Sequence, residues 1–143
     1  MEPIRVLFVC VHNSARSQIA EGFLNSLGKG RFHAESAGFE PGVINPYVVD
    51  VMREVGIDLA GKKTNSVFEY FKQDKRYSYV ITVCDEANGE RCPVFPGKTF
   101  RLHWGFEDPS RFSGSEEEIR SRVRDLRDKI RVRIESFISE ADA

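Results

Sequence analysis

The sequence predicts an α/β protein: a four-stranded, mostly parallel open sheet with helices on both faces. Two observations carry that expectation. Short apolar runs alternate along the chain with segments of helical periodicity, the pattern of strands joined by helical crossovers. The 143 residues contain no internal repeat, low-complexity tract or linker, so residues 1–143 read as one domain, long enough to bury a real core.

The first strand is expected at residues 5–9, where Val6, Leu7, Phe8 and Val9 run together. A helix follows at 17–27, with Ile19, Ala20, Phe23, Leu24 and Leu27 at helical spacing and Gly28 placed as a stop. The second strand is expected at 31–36. Pro46 opens the next helix at its first turn, with Val48, Val49, Val51, Met52 and Val55 as candidates for its buried side and Gly56 as its end. A short helix at 66–71 and strands at 79–83 and 99–102 come next. The last helix is the longest and begins near Ser115, which forms a capping box with Glu118. Ile119, Val123, Leu126, Ile130, Ile134, Phe137 and Ile138 make its apolar stripe. Its arginines (120, 122, 124, 127, 131 and 133) are interleaved with Asp and Glu, which reads as a solvated, ion-paired face rather than a nucleic-acid surface.

Between the first strand and the first helix stands the run Cys10, Val11, His12, Asn13, Ser14, Ala15, Arg16, Ser17. Successive backbone N–H groups in a loop at a helix start converge on an anion, so these eight residues are the candidate oxyanion cradle and Cys10 its nucleophile. A helix N-terminus and a guanidinium both favour the thiolate. Ser17 is placed to donate its hydroxyl proton to Cys10. Arg16 matches two oxygens of a tetrahedral anion bidentately, as a lysine cannot. Asn13 is the residue expected to accept left-handed backbone angles.

Composition bounds the alternatives. Lys and Arg number 21 against 22 Asp and Glu, a net charge of -1, which gives no general attraction to nucleic acid or anionic membrane. There is no apolar run of membrane-spanning length and no leader-like start, so neither a membrane span nor export is expected and the expected location is the cytoplasm. Three cysteines, an odd number, do not make a disulfide framework. Seven residues separate Cys84 from Cys92, too many for zinc-ligand spacing.

Ligands of open parallel sheets bind at the carboxyl ends of the strands. Cys10 ends one strand, Cys84 follows Val83 at the end of another, and Asp108 lies in the loop leaving the last. All three are expected at one edge. Strands that are neighbours lie about 4.8 Å apart, so thiols ending them meet after modest loop movement. Residues 85–91 are mostly polar and are therefore expected to pack weakly and to suit rearrangement during thiol exchange. Ordinary structural thiols are the alternative. Asp108, flanked by Phe106 and Phe112, is the candidate general acid, kept protonated by those surroundings. His33 and His103 read as structural histidines, and Trp104 as core or pocket wall.

These residues resemble the low-molecular-weight protein tyrosine phosphatase superfamily, and more closely its thioredoxin-coupled arsenate reductase branch. Residues 9–17, Ala20-Glu21-Gly22, Glu35-Ser36-Ala37-Gly38, Gly56-Ile57-Asp58, Val83-Cys84 and the run from His103 to Pro109 carry the resemblance over nearly the whole chain. His12 stands where the phosphatases usually have Gly and the reductases commonly have His. The resemblance implies a Rossmann-like three-layer fold in which the Cys10 and Cys84 strands are neighbours. It implies a monomer that reduces arsenate, with Cys10 as nucleophile, Arg16 as anion clamp, Asp108 as acid, and a relay through Cys84 and Cys92 to thioredoxin.

No organic cofactor is implied. Glu21, Asn13, Ser36 and Thr64 match positions of a potassium site in some reductases, but Ser66 stands where that site has a carboxylate, so a resident metal is not expected. The reductases usually place six residues between the last two cysteines, and this chain places seven. The rival is a phosphatase using Cys10, Arg16 and Asp108 alone; against it stands Ser110, where such phosphatases usually carry an aromatic residue to stack on phosphotyrosine.

Overall fold

The computed structural model describes residues 2–84 and 95–141. Strands β1 (Ile4–Cys10), β2 (Phe32–Gly38), β3 (Tyr79–Thr82) and β4 (Phe100–His103) form one parallel sheet in the order β2-β1-β3-β4. Helices α1 (Arg16–Leu27), α2 (Pro46–Arg53), α3 (Val67–Lys72) and α4 (Glu116–Ala141) follow the expected places. A 3-10 turn at Pro109–Arg111 follows Asp108, in the stretch expected as the loop leaving the last strand.

Alternation along β1 explains why every one of its central residues is apolar. Val6, Phe8 and Cys10 pack with Ile19 and Phe23 of α1, Met52 of α2 and Ile134 of α4. Leu7 and Val9 face the other way, against Val67 of α3, Tyr77, Val80 and Phe95. A strand buried on both faces reads as a continuous apolar run, and each such side chain removed from water contributes about 1.5–3 kcal/mol.

β1 and β2 run further toward their carboxyl ends than the apolar pattern predicts, and Cys10 is paired with Gly38. On the other side Val9 pairs with Thr82. From β1 the chain crosses through α1 to β2, and from β2 it returns past β1 to β3. The connections leave in opposite directions at the β1/β3 border, the topological switch point at which open α/β sheets place their ligands.

α2 starts where Asn45 accepts from the N–H groups of Tyr47 and Val48 at 2.9 and 3.4 Å, with Pro46 in its first turn. It ends at Arg53, two residues before Val55, which is only half-buried. Ser115 and Glu118 form the expected capping box: Glu118 N–H donates to Ser115 Oγ at 3.1 Å and Ser115 N–H to Glu118 Oε1 at 3.3 Å.

One arginine departs from the expected solvated face of α4. Arg120 and Arg124 are paired near the surface with Asp50, Glu54 and Glu117, but Arg127 is buried and donates to the Val51 carbonyl at 2.8 Å and to Glu54 at 2.9 Å. The last carbonyls of a helix have no partner within it and carry its negative end; Arg127 supplies the donor for α2.

Candidate active site

Cys10 is the last residue of β1 and Arg16 the first of α1. The loop between them is turned by the chain that follows β2. The N–H groups of Phe39, Glu40, Gly42 and Asn45 donate to the carbonyls of Cys10, Val11, His12 and Ser14 at 3.2, 2.8, 3.0 and 2.9 Å. These four bonds commit loop carbonyls to the strap and fix the backbone at the start of α1. α1 has no side-chain cap and no acidic residue in its first turn, so its positive end is left for an anion.

Asn13 takes the expected left-handed conformation, φ 55°. Its buried side chain is held at both ends: Nδ2 donates to Ser17 Oγ at 2.8 Å, and Oδ1 accepts from Gln18 Nε2 at 3.1 Å and from the Asn65 N–H at 2.9 Å. Because Ser17 accepts from Asn13, its own proton is directed elsewhere, as expected for a donor to a thiolate. Gly38 lies under the loop. A Cβ there would sit 2.7 Å from the Val11 carbonyl oxygen and 2.8 Å from the Asn13 nitrogen, both backbone atoms that cannot move aside. His12 does not reach toward the anion: its Nδ1 lies 2.9 Å from the Glu40 carbonyl oxygen and its ring is exposed.

Arg16 is 2% exposed. Its Nη1 donates to the Phe106 carbonyl at 3.1 Å, and its Nη2 lies 3.9 Å from Asp108 Oδ2. The structure thus brings Cys10, Arg16 and Asp108 to one edge of the sheet. Trp104 is core, packed between Phe8 and Phe137.

The expected state of Asp108 needs correction. Partial burial pushes its carboxyl up, but the Ser110 amide and hydroxyl, both bonded to Oδ1 at 2.9 and 2.8 Å, together with Arg16 and Arg111, outweigh burial and hold it below the ordinary range. The flanking Phe106 and Phe112 are only half-buried and do not dry the site enough to keep the acid protonated.

Cys84 is fully buried directly after Val83, whose N–H donates to the Val9 carbonyl at 2.9 Å. Since β1 and β3 are paired, the strand that ends at Cys10 and the strand that Cys84 follows by two residues are neighbours, as the resemblance implied. Cys92 lies outside the described residues.

The candidate potassium donors are brought together, but the one carboxylate among them already has its counter-charge in Lys62, and the others are held in hydrogen bonds. Glu21 accepts from Ser36 Oγ at 2.7 Å through one oxygen and from Lys62 Nζ through the other. Asn13 Oδ1 has its two donors, Thr64 is turned to the Gly42 carbonyl at 2.6 Å, and Ser66 caps α3. Only Gln18 Oε1 is a buried oxygen with no hydrogen bond among these residues, and one neutral amide oxygen does not replace the several oxygens a hard cation requires. These residues do not fit a potassium ion. Among the described residues no cluster of His, Cys, Asp and Glu offers another metal site.

Sequence reading missed the supports: the strap at 39–45, Gln18, Lys62, Asn65 and the Phe106 carbonyl. Most act through backbone atoms, which leave no residue-type signal. Asn45 before Pro46 is the exception, since an Asn N-cap followed by Pro is a recognisable helix start.

Residues 5–142 match the family described as low molecular weight phosphotyrosine protein phosphatase. The chain is 38% identical to an arsenate reductase of Oceanobacillus iheyensis over 134 residues, covering 92% of this chain and 93% of that one. It is 36% identical to an arsenate reductase of Bacillus subtilis, with 96% of each covered. A solved arsenate reductase in the phosphate binding state superposes with a TM-score of 0.79 at 31% identity, covering 96% of this chain and 98% of that one. A phosphatase from T. tengcongensis shares the fold, with a TM-score of 0.75 at 24% identity. The fold is therefore shared as well as the sequence, and the chain belongs to the low molecular weight phosphotyrosine protein phosphatase family.

Proposed function

We propose that the chain is an arsenate reductase that passes electrons through its own thiols to arsenic and draws them from thioredoxin or a similar dithiol. The observation that carries this reading is the second thiol: Cys84 follows, by two residues, the end of the strand beside the one ended by Cys10. A phosphatase of this design has no use for it. The arsenate reductases of O. iheyensis and B. subtilis support the same substrate.

Arsenate enters the loop with its oxygens on the amides of residues 11–16 and on the Arg16 guanidinium. The bound anion offsets the charge of Arg16, and its own negative charge pushes Asp108 up toward the protonated state. Cys10 thiolate attacks arsenic, and an oxygen leaves as water after taking the Asp108 proton. Cys84 thiolate then attacks the Cys10 sulfur. The sulfur–arsenic bond breaks, its electron pair stays on arsenic, which falls from the +5 to the +3 state, and a Cys10–Cys84 disulfide remains. Cys92 attacks Cys84 and releases Cys10 as thiolate, and the external dithiol reduces the final Cys84–Cys92 disulfide. No organic cofactor and no metal take part in this sequence, and the reaction belongs in a reducing cytoplasm.

Arsenate-dependent NADPH oxidation through thioredoxin and its reductase tests the reading. Wild type turns over, and Cys84→Ser stops after one attack while still binding phosphate. Normal turnover by Cys84→Ser, or hydrolysis of p-nitrophenyl phosphate without arsenate reduction, would establish the phosphatase instead.

A further inference from the structure

We propose that Lys62 is a positioning residue that provides, from within the chain, the single positive charge required behind the anion loop, replacing a bound monovalent cation. The inference rests on the reading of residues 10–17 as an oxyanion site. It starts from Glu21, a carboxylate on α1 that is only 6% exposed and that the reaction does not use. A buried charge must be matched locally. Ser36 gives it one hydrogen bond and no charge, whereas Lys62 gives it an ammonium.

Lys62 begins a second strap behind the loop. Gln18 Nε2 bonds both the Lys63 carbonyl and Asn13 Oδ1, at 3.1 Å each. Thr64 bonds the Gly42 carbonyl. The Asn65 N–H bonds Asn13 Oδ1, its side chain bonds the Ser36 carbonyl at 3.2 Å, and its own carbonyl accepts from Gly38 N–H at 2.8 Å. Residues 62–65 therefore fix Asn13, the left-handed residue on which the loop turns, and they also touch the strap that holds the loop carbonyls. The Lys62–Glu21 pair ties the start of this second strap to α1, four residues past Ser17. Cut back to a neutral side chain, Lys62 would leave Glu21 a buried anion beside Ser36, a place that a small cation can enter.

The experiment compares wild type with Lys62→Met in choline chloride and in potassium chloride at equal ionic strength, by calorimetric phosphate binding and by thermal melting. Wild type should behave alike in both salts. Lys62→Met should lose about tenfold or more in phosphate affinity in choline, a loss typical of removing a supporting contact, and recover affinity and melting temperature in potassium. The double variant Glu21→Gln with Lys62→Met should fold and show no potassium response. A Lys62→Met that folds only in potassium, or that unfolds in both salts while the double variant folds, supports the proposal, because the unmatched carboxylate is then the cause. The proposal is overturned if wild type gains affinity from potassium, if Lys62→Met binds like wild type in choline, if the double variant keeps a potassium response, or if both variants unfold. Neither readout needs arsenate turnover, so loss of the reductase reading would show separately, as phosphate binding with intact salt behaviour and no reduction.

Discussion

The loop at Cys10 and the turn at Asp108 meet across Arg16 but are held by opposite means. The loop is mostly buried and bonded from two straps, with carbonyls taken by residues 39–45 and Asn13 fixed by Ser17, Gln18 and Asn65. The Asp108 turn is half-exposed, satisfies its own carboxylate through Ser110, and stands 3.9 Å from Arg16. The contrast separates two tasks. Binding a tetrahedral anion requires donors fixed before it arrives; delivering a proton requires a group whose affinity for that proton changes when the anion arrives.

The largest expected break falls on the turn. Asp108→Asn should cost about 10²–10³ in kcat, within the range for a lost general acid, while phosphate affinity measured by calorimetry stays within a small factor and the melting temperature falls only slightly, by the lost stabilisation of the carboxylate. A large loss of phosphate affinity would mean that the turn helps build the anion site, and the contrast would fail.

On the loop side, Asn13→Ala should behave differently. It removes the three hydrogen bonds of a buried side chain and places alanine in the left-handed region, a combination worth about 2–4 kcal/mol. Thermal unfolding and phosphate affinity should fall together. Loss of turnover with unchanged stability would argue that the loop is not preorganised by this residue.

Ser110→Ala is the smallest and most selective change. The Ser110 bonds lower the Asp108 pKa, so removing the hydroxyl should raise it, with the backbone bond left in place. A carboxyl held below its unfolded value stabilises the fold above that unfolded value and loses the contribution as pH falls through the folded one. The variant should therefore be less sensitive to acid between those two values, and the alkaline limb of its kcat/KM profile, where the acid loses its proton, should move to higher pH. A carboxyl resonance for Asp108 that titrates as in wild type would dismiss the role of Ser110.

The same division explains how much was legible in the sequence. Strands and helices were readable because burial writes them into periodicity: β1 is apolar throughout since both its faces are covered, and α4 carries its stripe. Cys10, Asn13 and Arg16 were readable because anion chemistry demands particular residue types at fixed spacing. The ionisation of Asp108 was not, since it follows from Ser110 and Arg16 arriving in three dimensions. Arg127 looked like one more surface arginine, and only the packing of α4 on α2 places it against the Val51 carbonyl. Lys62 and Glu21 lie 41 residues apart, and no local pattern joins them.

Gly38 carries a consequence for how such a chain can drift. It takes no part in chemistry, yet any side chain there would collide with the backbone of the loop that Cys10 begins. Tolerance to substitution around the site should therefore be set as much by crowding beneath the loop as by reactivity above it. A lineage that abandoned the reaction altogether, but kept an anion in the loop, would be free to replace Cys10 long before it could replace Gly38.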